Sequence, residues 1–76
     1  DLADGITALS DPQAITIEDF NEGKFFSVTL GMSAIAQLLV VVHESTHEGI
    51  EILAARLATE REQSSYQSVQ ENRLNL

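Results

Sequence analysis

His43-Glu44-Ser45-Thr46-His47 spells H-E-x-x-H. On a helix that spacing presents two imidazoles to one zinc ion and a glutamate to the attacking water. The chemistry depends on the helix, because residues i and i+4 share a face there. The flanking residues predict otherwise. Gln37-Leu38-Leu39-Val40-Val41-Val42 is an apolar, β-branched run of the buried-strand type, and Ile50-Glu51-Ile52-Leu53 after Glu48-Gly49 starts a second strand. The motif is therefore expected on a hairpin turn, as two surface histidines with no common direction. No third ligand of the usual kind follows, and 76 residues leave little room for a peptide cleft. No metal and no other cofactor is expected.

A second group of residues could act on phosphate. Arg56 ends the strand-like segment 49–56, and a guanidinium at a strand terminus can hold a phosphate through two parallel hydrogen bonds. The structural alternative is an ion pair with Glu51 or Glu60. Simple alternation puts Ile50, Ile52 and Ala54 on one face and gives Arg56 the same parity, an odd place for a charge unless the strand ends or bulges. Arg61 falls in the first turn of a helix, where it opposes the macrodipole and gains little as a structural residue. Tyr66 reads most simply as the anchor of that helix, and Lys24 as a residue at a hairpin end. There is no Gly-rich phosphate loop, no diagnostic carboxylate pair and no Ser/His/Asp order of note.

The elements that must position these residues follow from periodicity. Leu2, Ile6 and Leu9 have helical spacing, with Asp1 available as cap and Asp11-Pro12 as stop. Ile15 and Ile17 alternate with polar residues in a strand from about 13 to 20, and Asn21-Glu22-Gly23 is a turn. Phe26, Val28 and Leu30 mark a second strand. Gly31-Met32-Ser33 leads to a third over 35–43, apolar on both faces and hence central. The fourth covers 49–56. Thr59-Glu60-Arg61-Glu62 matches a capping box that opens a weakly amphipathic final helix over about 60–72, with Tyr66 and Val69 inward. Short connections favour neighbouring antiparallel strands. The expected fold is α+β: a four-stranded antiparallel meander with a short N-terminal helix and a C-terminal helix packed on the sheet, in one domain over 1–76.

Composition limits the function classes. The chain has no cysteine, which suits a reducing cytoplasm, and its longest apolar run, Leu38 to Val42, is too short to cross a bilayer. It begins at Asp1 rather than Met, as a processed chain or a fragment would. Twelve acidic residues against four basic ones give a net charge of −8. That balance opposes nucleic-acid binding, which needs clustered cations to displace counterions. The acid is uneven: residues 1–56 carry nine acids and two bases, and 57–76 carry three acids and two bases. A polyanion site, if present, belongs near the C-terminal third. The plainer reading is a solvated acidic surface that keeps a small protein soluble.

Taken in order, residues 2–66 resemble the BrnT toxins, a family with a RelE/ParE-like fold. Asp11-Pro12 is similar to the end of a family helix, and Ala14 to Asp19 to the strand that follows it. Lys24 to Ser33 resembles the R-F-x-x-x-G-x-S hairpin, and Leu38 to Glu44 the L-L-V-V-V strand. The most specific stretch is Ile52 to Tyr66, similar to I-S-A-R-x-A-T-x-x-E-x-x-x-Y, with matches at Ala55, Arg56, Ala58, Thr59, Glu62 and Tyr66. The resemblance implies an RNA-cleaving, translation-inhibiting toxin of a type II toxin–antitoxin pair, cytoplasmic and bacterial, held inactive by a DNA-binding antitoxin encoded nearby. It implies catalysis by Arg56, Arg61 and Tyr66, with Lys24 and His43 contacting RNA. The chain departs from the family pattern at its start, where a strand and a basic helix are lacking. It departs again at Leu57, Glu60 and Gln63-Ser64-Ser65, where basic residues are typical. A weakened toxin is one expectation. The other is a non-catalytic interaction or self-association module with a decayed site, forming homo-oligomers through an exposed sheet edge.

Overall fold

The computed structural model describes residues 2–74. Its elements are α1 (Leu2–Leu9), β1 (Ile15–Asn21), β2 (Lys24–Met32), β3 (Leu38–Thr46), β4 (Gly49–Leu57) and α2 (Glu60–Leu74). The four strands form one antiparallel sheet in the order β1-β2-β3-β4, so the α+β meander is the fold. Asp1, the expected cap of α1, lies outside the described residues.

Cross-strand rows define two faces. Thr16, Thr29, Val41 and Ala55 form one row, and α1 covers this face: a Cβ placed on Gly5 would lie 3.4 Å from Ile52, 3.5 Å from Ala55 and 3.7 Å from Val41. The core is small, with Ala8 and Val41 fully buried, Leu39 nearly so, and Leu9, Ile52 and Ala55 packed around them. Gly31 is glycine because the chain comes too close for anything else. A Cβ there would collide with the carbonyl oxygen of Ala8 at the end of α1. The next row belongs to the opposite, more open face, where Val40 is buried, Ile15 and Leu30 are half-buried and Arg56 is exposed.

Two departures from regularity matter. The β1–β2 hairpin turns through Glu22 (φ 53°) and Gly23 (φ 80°), the pair of positive φ angles of a two-residue turn matching the strand twist. The β3–β4 ladder is bulged: Val42 pairs with Ala54 and His43 with Ile52, leaving Leu53 as an extra residue. Ile50 and Ile52 therefore share the α1 face with Ala55 and Leu57, while Glu51, Ala54 and Arg56 lie on the open face. This corrects the alternation expected from sequence, which grouped Ala54 and Arg56 with the two isoleucines.

α2 is polar on most of its surface. Among its described side chains only Tyr66 is buried, with Glu62, Val69 and Gln70 half-buried. It joins the body at the end of the sheet, where Tyr66 shares a hollow with Met32, Leu38, Leu57 and Ala58. Polar ties complete the attachment. Asp11 Oδ2 accepts hydrogen bonds from the Tyr66 hydroxyl at 2.5 Å and the Met32 amide at 2.9 Å, and Gln70 Nε2 donates to the Gln13 carbonyl at 3.0 Å. Asp11 Oδ1 also caps the following turn by accepting from Gln13 N at 2.9 Å.

Candidate functional site

Arg56 reaches the open face at the end of β4, and the first turn of α2 fixes its orientation. Thr59 and Glu62 form the expected capping box: the Thr59 amide donates to Glu62 Oε1 at 2.8 Å, and the Glu62 amide donates to Thr59 Oγ1 at 3.2 Å. The same carboxylate then takes Arg56 through two bonds, Nη1 to Oε1 at 2.8 Å and Nη2 to Oε2 at 2.9 Å. Arg56 Nη1 also donates to the Leu57 carbonyl at 3.1 Å. Glu62, not Glu51 or Glu60, is thus the arginine's partner.

The hydrogen bond from Arg56 and then that from the Thr59 amide push the Glu62 carboxyl down to about 2. The bond to Glu62 in turn raises Arg56 above its ordinary value, keeping it charged. A guanidinium carries five N–H donors, three of which these bonds occupy, leaving two that no group takes among the described residues. The arrangement is a pre-oriented, exposed cation able to hold one more oxyanion.

Arg61 is exposed in the first turn of α2 and makes no ion pair among the described residues. Tyr66 lies a helical turn further on, 7% exposed, with its hydroxyl on Asp11. It positions α2 and turns no hydroxyl to the surface. Arg56, Arg61 and Tyr66 are therefore brought to one end of the molecule. Lys24 is not, being at the start of β2, six residues from the Leu30 row that contains Arg56, roughly 20 Å along the strand.

His43 departs furthest from expectation. Strand β3 continues through Thr46, so His43 is a half-buried strand residue on the α1 face, opposite to Arg56, and only His47 occupies the turn. Its Nε2 is 2.7 Å from Thr29 Oγ1, which is 2.8 Å from Thr16 Oγ1. Burial lowers its pKa from 6.5 and favours the neutral ring. The H-E-x-x-H histidines thus lie on a strand and a turn, without the shared face that zinc binding on a helix requires. Among the described residues no three His, Asp or Glu side chains converge as metal ligands.

Sequence reasoning missed Asp11 and the second role of Glu62. The Thr59-to-Glu62 spacing marked the cap but carried no sign that the carboxylate also takes an arginine. Asp11 read as a helix stop, although it accepts a hydrogen bond from a tyrosine 55 positions away. No protein-family model and no curated protein matches the chain.

Proposed function

We propose that this chain is a BrnT-like domain, the toxin half of a type II toxin–antitoxin pair, directed at RNA through Arg56 and Arg61 with weakened activity. The observation that carries the reading is the fixed guanidinium of Arg56, exposed on the open face with two donors to spare. Cleavage of RNA by its own 2′-hydroxyl asks a protein chiefly to position and neutralise the scissile phosphate, and a pre-oriented arginine does both. Arg61 adds charge from the adjacent turn, and Tyr66 holds α2, and with it Arg61, in place. Lys24 and His43 have no part in that centre: one is distant, the other on the opposite face. The domain acts in the cytoplasm and is restrained by a partner protein.

A second reading, a non-catalytic interaction module with a decayed site, is favoured by local charge. Glu60 and Glu62 in the first turn of α2 balance Arg56 and Arg61, so the site has no net positive field to draw RNA.

Induced expression in a bacterium, following growth and total RNA, separates the two. The first reading expects growth arrest with RNA decay, lost in Arg61→Glu and in Arg56→Ala. Arg56→Ala also removes the partner of Glu62, so circular dichroism must show that variant folded. Unimpaired growth with folded, soluble protein refutes the first reading and leaves the second.

A further inference from the structure

Edge strand β4 has an unusual internal symmetry, and the bulge creates it. In a regular strand, positions an odd number apart face opposite ways, so Glu51 and Arg56 would lie on different faces. The extra residue at Leu53 shifts the phase and puts both on the open face, and puts Ile50 and Leu57 together on the α1 face. A two-fold axis perpendicular to a sheet preserves faces. Such an axis placed between Leu53 and Ala54 pairs β4 with its own copy in a face-consistent register. Glu51 then meets Arg56 of the second copy, Ile50 meets its Leu57, and Ile52 meets its Ala55, each pairing occurring twice.

We propose that the free edge of β4 is a self-recognition surface for a second copy of this chain, forming a continuous eight-stranded sheet centred on the Leu53 bulge. Three observations converge on it. Ile50, Leu53 and Leu57 are 62%, 50% and 62% exposed along a nine-residue strand that contains neither proline nor lysine, the usual edge guards. Charge is complementary in this register: Glu51 is exposed, and Arg56 keeps two donors beyond those that Glu62 and Leu57 occupy. The opposite edge is closed to the same pairing, because β1 carries Glu18 and Asp19 with no base, and its self-pairing sets acids against acids. Bulges commonly protect edges by interrupting the ladder. Here two three-residue segments, 50–52 and 55–57, remain to pair on either side of it.

The proposal rests on the second reading above and turns the spare Arg56 donors toward a second copy instead of a phosphate; its test reads mass and cross-linking and not RNA decay, so each reading can fail alone. Sedimentation of the whole chain over a range of concentrations gives its mass. A dimer is expected, weakened about tenfold or more by Glu51→Lys, the loss of a repeated interfacial charge pair. Register is read by disulfide formation, since the native chain has no cysteine. Ile50→Cys mixed with Leu57→Cys should give the mixed disulfide. Ile50→Cys alone should not, because its two copies lie roughly 23 Å apart in this register. A monomer at every concentration overturns the proposal, as does a dimer that cross-links through Ile50→Cys alone or is indifferent to Glu51→Lys. Circular dichroism of each variant establishes folding, and Leu57→Lys replaces any variant that does not fold.

Discussion

Removing the Asp11 carboxylate tests how α2 is held. In Asp11→Ala the buried Tyr66 hydroxyl loses a charged acceptor, a bond of the class that contributes about 1.5–3 kcal/mol. The Met32 and Gln13 amides lose an acceptor too, but both bonds are exposed and water replaces them, adding about 0.5 kcal/mol each. The expected loss is about 3 kcal/mol, against a total stability of roughly 4–11 kcal/mol for a chain of this length. At about 4–8 °C per kcal/mol, Tm should fall by about 12–24 °C. Thermal unfolding followed by circular dichroism measures it. Tyr66 is the chain's one tyrosine and there is no tryptophan, so ultraviolet emission reports on this site alone and should rise once the carboxylate that quenches it is gone. A double-mutant cycle with Tyr66→Phe should return a coupling of about 1 kcal/mol or more. A Tm for Asp11→Ala within about 3 °C of the native chain, with unchanged emission, would refute this account of the attachment.

Three other outcomes are expected. Gly31→Ala drives a methyl into the Ala8 carbonyl and should destabilise by about 1–3 kcal/mol in denaturant titrations, with α1 the first segment to gain hydrogen exchange. Glu22→Asn should stabilise by about 0.5–1 kcal/mol, since Glu22 has φ 53° and asparagine accepts that conformation more readily. Acid should act in two steps: the depressed His43 favours the folded state above pH 6.5, and that contribution declines as pH falls below it, a step absent in His43→Gln. The depressed Glu62 contributes above about 4.5, and its share disappears as pH falls toward about 2.

What the sequence revealed was what is local. The capping box was legible because Thr59 and Glu62 are three apart and their bonds depend on nothing else. The strands and α1 were legible from periodicity and α2 from its capping box, to within a few residues at their ends. The reach of β3 beyond His43 to Thr46 was not, because Glu44-Ser45-Thr46 is polar after an apolar run, and the Thr29 hydroxyl that meets the imidazole is 14 positions away. Nor was the phase of β4. Ile50, Ile52 and Ala54 look like uninterrupted alternation, and only the ladder against β3 reveals that Leu53 is supernumerary. That single residue decides which face Arg56 occupies, so the candidate site could be placed on its strand from sequence but not on its side of the sheet.

The contact of Thr16, Thr29 and His43 gives the sheet a lateral sense of direction. A threonine hydroxyl has one hydrogen to give, so Thr29 cannot donate to both neighbours. When Nε2 of His43 is bare, Thr29 points its hydrogen toward the ring and receives that of Thr16. When Nε2 carries a proton, both hydroxyls reverse. Whether Nε2 of one imidazole on β3 carries a hydrogen is thereby recorded two strands away as the orientation of a hydroxyl on β1. Where the neutral ring carries its hydrogen on Nδ1, protonating His43 reverses the relay, and the side-chain signals of Thr16 should then titrate in step with a histidine two strands away.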